Sequence, residues 1–351
     1  MASTSIWKLI SSTSKANAKQ PVQMRRRWAD TFQREENMSN FTKILASVGA
    51  VVCFGTAAEA KPLNVTWIAG NAALQTEHRI REGFAKYLDE KGIKDWNVTF
   101  LDSAGSAEKV ANNIQDAVSR GSDFILVTVA DLRASNSALA VAAEANIPVF
   151  TADSGWIPGA ITDVTTNNWQ MSSEVSLELV NRMRGKGNLV LLTADGLKPV
   201  RERSDTLRAI VKEYPDVKII AEHDINLSNF YQDTMNAVQD ISTRFGSEIT
   251  AVWAPWDEPA QAAVTALAAA GLDKVPVSGM DGHQSALDAI CKEDSMFIAT
   301  GRQQFEVWGA KLAEYVERVG EKGESAESVK TADIVYFPAK LFTKADCQQS
   351  Q

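Results

Sequence analysis

The chain has no G-x-S-x-G nucleophile elbow, no Walker A loop, no dinucleotide-type glycine fingerprint and no C-x-x-C pair. These absences leave no reaction class to assign and favour binding over catalysis. The three histidines, His78, His223 and His283, stand apart and form no ligand-spaced pair. No metal site built on them is expected, nor any cofactor; a surface or helix-start role suits them better. Cysteine is scarce, with three residues in the chain. If Cys53 is lost with a leader, Cys291 and Cys347 remain, and a disulfide or two free thiols are both open. No apolar run reaches the ~20 residues a spanning helix needs, so no membrane span is expected in the mature form.

A shorter apolar run is present. Met38-Ser-Asn-Phe-Thr-Lys43 leads into an apolar stretch from Ile44 to Gly55, followed by Thr56-Ala-Ala-Glu-Ala60. A basic start, an apolar segment of about 7–15 residues and a small-x-small end make a secretory signal peptide. Cleavage after Ala60 is expected, which places the protein outside the cytoplasm, in the periplasm. Val52 before Cys53 argues against a lipid anchor. Residues 1–37, with Arg25-Arg26-Arg27, read as a non-native upstream extension or an extended leader. Beyond residue 60 the chain holds 28 Lys and Arg against 40 Asp and Glu. That acidic balance argues against nucleic acid or an anionic membrane as partner.

Strand and helix patterns then alternate. Strands are expected at 63–69, 97–102, 123–129, 147–151, 161–165, 188–193, 217–222, 249–254, 275–280 and 297–300. Several are continuous apolar runs, as in Phe124-Ile-Leu-Val-Thr-Val129, which suit strands covered on both faces. Phe305, Trp308, Leu312, Tyr315 and Val319 recur at helical spacing, with Gly320 as a stop. Asp257-Glu-Pro259 opens another helix, which Gly271 closes. The alternation predicts an α/β fold of doubly wound lobes, with ligands at the carboxyl ends of the strands.

Polar and aromatic residues crowd those strand exits. Asn71 and Gln75, Asp153 and Trp156, Trp256 and Asp257, Asp281, and Arg302 and Gln303 all follow strands, and Phe230 joins the candidates. An ionised Asp accepts several hydrogen bonds, which suits adjacent hydroxyls; capping a turn before Gly is the alternative for Asp153 and Asp281. Arg203 could aim its planar fork at two ligand oxygens, whereas Arg201 reads as a solvated first-turn residue. Trp156 and Trp256 could stack on the C–H face of a sugar; Trp169 and Trp308 are plausible core residues.

In order and spacing, Ala145-Asn-Ile-Pro-Val-Phe-Thr-Ala-Asp153, Arg201-Glu-Arg203, Ala251-Val-Trp-Ala-Pro-Trp-Asp-Glu258, Ser278-Gly-Met-Asp-Gly282 and Ala299-Thr-Gly-Arg-Gln303 resemble type I periplasmic binding proteins of the ribose/pentose group. These are solute receptors of bacterial ABC importers. The resemblance implies two Rossmann-like lobes joined by a three-crossing hinge, one from 61–166 plus 304–332 and the other from 167–303 plus a final strand within 333–345. It implies ligand contacts from Asp153, Arg203, Asp281 and Gln303. Trp256 replaces an asparagine of ribose binders, and Ser154 a frequent arginine. Leu74-Gln-Thr-Glu-His78 replaces an aromatic pair, leaving Gln75, Glu77 or His78 as polar substitutes. The implied ligand is a pentose, hexose, polyol or sugar acid, the last kept open by Arg203 and Arg302. The implied partners are a permease with its ATPase, with a chemoreceptor as alternative. A repressor-type sensing core and a sugar-active enzyme using Asp153 and Asp281 are the remaining rivals.

Overall fold

The structure, a computed structural model, describes residues 61–349. The expected leader at 38–60 and the upstream residues 1–37 lie outside the described residues. In chain order the first part forms β1 (Asn64–Ala69), α1 (Gln75–Lys91), β2 (Asn97–Asp102), α2 (Ala107–Ser119), β3 (Phe124–Thr128), α3 (Asn136–Glu144), β4 (Val149–Ala152) and β5 (Thr162–Thr166). The second part forms α4 (Asn168–Arg182), β6 (Gly187–Thr193), α5 (Lys198–Lys212), β7 (Val217–Asp224), α6 (Phe230–Phe245), β8 (Ala251–Trp253), α7 (Asp257–Ala269), β9 (Val277–Asp281), α8 (Gln284–Cys291) and β10 (Phe297–Arg302). The chain ends with α9 (Phe305–Gly320), α10 (Ala326–Val329), β11 (Ile334–Phe337) and β12 (Lys340–Thr343).

Two six-stranded sheets result, in the orders β11-β5-β4-β3-β1-β2 and β12-β10-β9-β8-β6-β7. All pairings are parallel except β12 against β10. The chain passes between sheets three times: from β5 to α4, from β10 to α9 and from β11 to β12. The stretch 333–345, expected as one strand of the second lobe, is two strands in different sheets. Pro338 lies between them and has no N–H to give a ladder. Ile334–Phe337 extends the first sheet beside β5, and Lys340–Thr343 extends the second beside β10.

Local chemistry accounts for the elements. β3 is buried at all five residues, as its unbroken apolar run requires. The Ser106 hydroxyl accepts the Lys109 N–H to cap α2, and the Asn167 side chain accepts the Gln170 N–H to cap α4. α7 begins with two carboxylates and a proline, all buried. Phe305, Trp308, Leu312 and Tyr315 of α9 are fully buried, with Tyr315 stacked on Phe150 at 5.1 Å. Trp308 is therefore a core residue as expected. Trp169 is not: it is 47% exposed, because the second position of α4 faces solvent.

Cys291, ending α8, is bonded to Cys347, beyond β12, with Cα atoms 5.6 Å apart. The bridge closes a loop over 56 positions and ties the chain's end to the second lobe. Reduction, or Cys347→Ser, is expected to cost about 2–4 kcal/mol. Guanidinium unfolding with and without reductant checks this; the serine variant should no longer respond to reductant.

Candidate ligand cleft

The two lobes meet at the carboxyl ends of their strands, and the cleft is closed. The Asn71 side-chain amide donates to the Leu227 carbonyl at 2.8 Å, and the Ser228 hydroxyl to the Ala104 carbonyl at 3.0 Å. Arg79 of α1 makes the densest crossing. It donates to the carbonyls of Asp281 at 3.1 Å and Gln303 at 3.2 Å, forms a two-point ion pair with Glu306, and lies 4.7 Å over the Phe305 ring.

Between the lobes lies a small cavity of about 20 Å³, the space that the shut cleft leaves. Asp153 reaches it from the end of β4, Asp281 from the end of β9, Thr76 from the start of α1 and Arg203 from α5. Arg203, 2% exposed, joins the group. Its Nε donates to Asn168 Oδ1 at 2.7 Å and its Nη1 to the Pro255 carbonyl at 2.9 Å. It stands 3.5 Å from Asp281 Oδ1 and 3.6 Å from Asp153 Oδ2. Asp281 also accepts the Thr76 hydroxyl at 3.1 Å and the Gln303 amide at 2.7 Å. Burial raises the Asp153 carboxyl above its ordinary range, opposed by Arg203 and the Thr165 hydroxyl and reinforced by Asp281. Asp153, Asp281 and Val129 all hold positive φ, at 49°, 117° and 48°. Left-handed backbone is uncommon outside glycine and costs most for β-branched Val. Three such residues around one cavity mark a site held under backbone strain.

The family model for the periplasmic binding protein domain matches residues 65–324. The chain belongs to that family. Among its relatives is the ribose import binding protein RbsB of Escherichia coli (strain K12), 27% identical over 257 residues, covering 73% of this chain and 83% of that one. A xylitol-binding protein of Mycolicibacterium smegmatis is 26% identical over 263 residues, covering 74% and 72%. The crystal structure of an ABC transporter solute binding protein from Agrobacterium vitis with bound allitol superposes with a TM-score of 0.73 at 25% identity. That match covers 83% of this chain and 98% of that one.

In this periplasmic binding protein domain, the candidate residues read from sequence fall in different places. Asp153, Arg203, Trp256 and Asp281 line the cavity. Gln303 is buried beside it through Asp281, with its own Oε1 unpartnered. Asn71 and Phe230 line a neighbouring cavity, Phe230 standing 6.1 Å from Trp256. The remaining four point elsewhere. The Gln75 side chain is exposed, and only its backbone N–H meets the other lobe, at Glu258. Arg302 is exposed. Trp156 folds onto its own loop, its indole N–H donating to the Ala160 carbonyl with Lys330 over the ring.

Glu77 faces the core of its lobe rather than the cleft. It is fully buried and accepts the Trp67 indole N–H and the Thr128 hydroxyl, each at 2.6 Å. Burial pushes its carboxyl up to about 7 despite those bonds. A carboxyl raised in the folded state stabilises fully below its unfolded value of 4.5, and that contribution is lost as pH rises through about 7. The loss is on the order of 3 kcal/mol. Glu77→Gln is therefore expected to flatten the fall in melting temperature between pH 5 and 8 and to leave ligand affinity unchanged; melting scans across pH check it.

Sequence reasoning missed His283. It starts α8, but is buried rather than at the surface, with Nε2 3.4 Å from both Glu258 and Asp281. Burial opposes its charge, but the two carboxylates outweigh it and hold the ring protonated up to about 10. These three residues are also a group, among the described residues, whose donor atoms could gather a metal ion. A protonated His283 balances the carboxylates without one. The apolar lining, Leu74, Val129, Leu197, Pro199 and Val200, was missed as well.

Proposed function

We infer that the protein is the solute receptor of an ABC importer, closing its lobes on a small neutral sugar or polyol. What carries this reading is the joining of Asp153 from one lobe to Arg203 and Asp281 from the other around the space between them. Carboxylates accept from ligand hydroxyls, and the remaining guanidinium N–H donates to one. A sugar acid fits poorly. Most donors of Arg203 are already committed to protein acceptors, and Arg302 lies outside the cavity. Relatives named for ribose and xylitol, and a related structure holding allitol, support the polyhydroxy class.

A ligand that touches both lobes binds the closed form better and shifts the hinge equilibrium by that difference. The protein would be exported by the Met38–Ala60 leader and work in the periplasm. Its closed form would deliver the ligand to a permease driven by a separate ATPase, without turnover of the ligand. Among the described residues no helix is long and apolar enough to cross a membrane. Calorimetry against pentoses, hexoses, polyols and sugar acids tests the reading. Neutral members should bind and acids should not. Folded protein that binds none of the neutral members would overturn it.

A further inference from the structure

The cavity is polar at one end only. Asp153, Arg203, Asp281 and Thr76 form that end, whereas the rest of its wall is Leu74, Val129, Leu197, Pro199, Val200 and Trp256. None of these six side chains offers an acceptor. The Trp256 indole N–H is buried without a protein partner, so this wall presents one free donor and carbon. A hydroxyl placed there could accept from Trp256, but its own proton would meet no side-chain acceptor. Burying an unpaired hydroxyl costs affinity, whereas burying a methyl or methylene there gains it.

Three residues of this wall, Leu74, Val129 and Leu197, continue outward. A second small cavity, of about 10 Å³, shares them with the first. Beyond these three it is bounded by Val110, Leu227 and Phe230 on its apolar side and by Asn71, Ser106 and Asp131 on its polar side. The three shared residues are 6%, 8% and 6% exposed and form an apolar waist between the chambers. Val129 takes its place there at a φ of 48°, a conformation a β-branched residue holds only when its surroundings impose it.

We propose that the ligand is a polyhydroxy compound carrying an apolar substituent at one end, a terminal deoxy, O-alkyl or S-alkyl group. The hydroxyl-bearing part sits against Asp153, Arg203 and Asp281. The substituent lies between Leu74, Val129 and Leu197 and points toward Phe230. An ether oxygen suits the Trp256 N–H, because it accepts a hydrogen bond and has no proton to place. This deepens the sugar or polyol reading and rests on it.

Calorimetry on the wild-type protein with matched sets tests it. Each set holds a parent, such as ribose, xylose, ribitol or allitol, with its terminal-deoxy and terminal-O-methyl derivatives. In the best-binding set a derivative should bind at least about tenfold tighter than its parent, with a more negative heat-capacity change. Leu197→Asn should shrink that preference to about twofold or less, because the amide supplies the missing acceptor. The wild-type comparison stands even if that variant folds poorly. Parents that bind as tightly as their derivatives or tighter in every set would overturn the proposal and leave the receptor reading intact. Folded wild-type protein that binds neither parents nor derivatives would overturn both.

Discussion

Arg203→Met is expected to weaken ligand binding about 100-fold or more. Methionine keeps most of the buried volume and removes the charge, so the effect reads electrostatics rather than a cavity. In the closed protein Asp153 and Asp281 both face Arg203, at 3.6 and 3.5 Å. Without it two buried carboxylates stand near each other with no guanidinium between them. Breaking such a pair from one side costs about 3–5 kcal/mol. The Arg203–Asp153 contact crosses the cleft, so part of that cost falls on the closed state alone and appears as lost affinity rather than lost melting temperature. Asp153→Asn combined with Arg203→Met should recover part of the loss, since an amide needs no counter-charge, and the double-mutant cycle isolates the pair. Solution scattering provides a second readout: the ligand-induced contraction should disappear at ligand concentrations that saturate the wild type. Affinity within about threefold of wild type in Arg203→Met would show that the guanidinium is a structural prop.

The architecture was legible because unbroken apolar runs and helical spacing are local signals. Each of the ten expected strands has a counterpart, ending within about two residues of it, and α9 and α7 begin at Phe305 and Asp257 much as their patterns require. Membership of the last strands was not legible. Whether Ile334–Phe337 pairs with β5 or β10 depends on which sheet edge is free, and nothing in those four residues records that. The site was legible where a residue's position sets its direction. Asp153 and Asp281 sit at strand ends and can only face the cleft. It was illegible where rotation about a helix decides. In α1, Gln75, Thr76 and Glu77 are consecutive, yet one faces solvent, one the cleft and one the core, since each step turns the side chain by about 100°. The apolar half of the cavity escaped notice because Leu74 and Val129 read as core residues in any sequence.

Gly309→Ala is expected to cost about 3 kcal/mol or more, from a single methyl group. A Cβ at Gly309 would stand 1.8 Å from the Ile80 carbonyl oxygen and 2.7 Å from the Phe84 nitrogen. One at Gly83 would stand 1.9 Å from the Glu306 carbonyl oxygen. The obstacles are backbone atoms, so no side chain can swing aside, and α1 and α9 must separate by more than an ångström. Overpacking of this kind costs about 1–3 kcal/mol where side chains can adapt and more where they cannot. The same two helices carry Arg79, Glu306 and Phe305, whose mutual contacts hold Arg79 against the carbonyls of Asp281 and Gln303. Separation should therefore weaken closure as well as stability. Gly83→Ala should reproduce both effects from the opposite helix. The check is a fall in melting temperature of several degrees in each variant, with weaker ligand binding in whatever folded protein remains. If either variant melts like wild type, α1 and α9 have room that the backbone distances deny. If both melt lower yet bind normally, the helix contact serves only to hold the lobe together, and Arg79 finds its place in the cleft by other means.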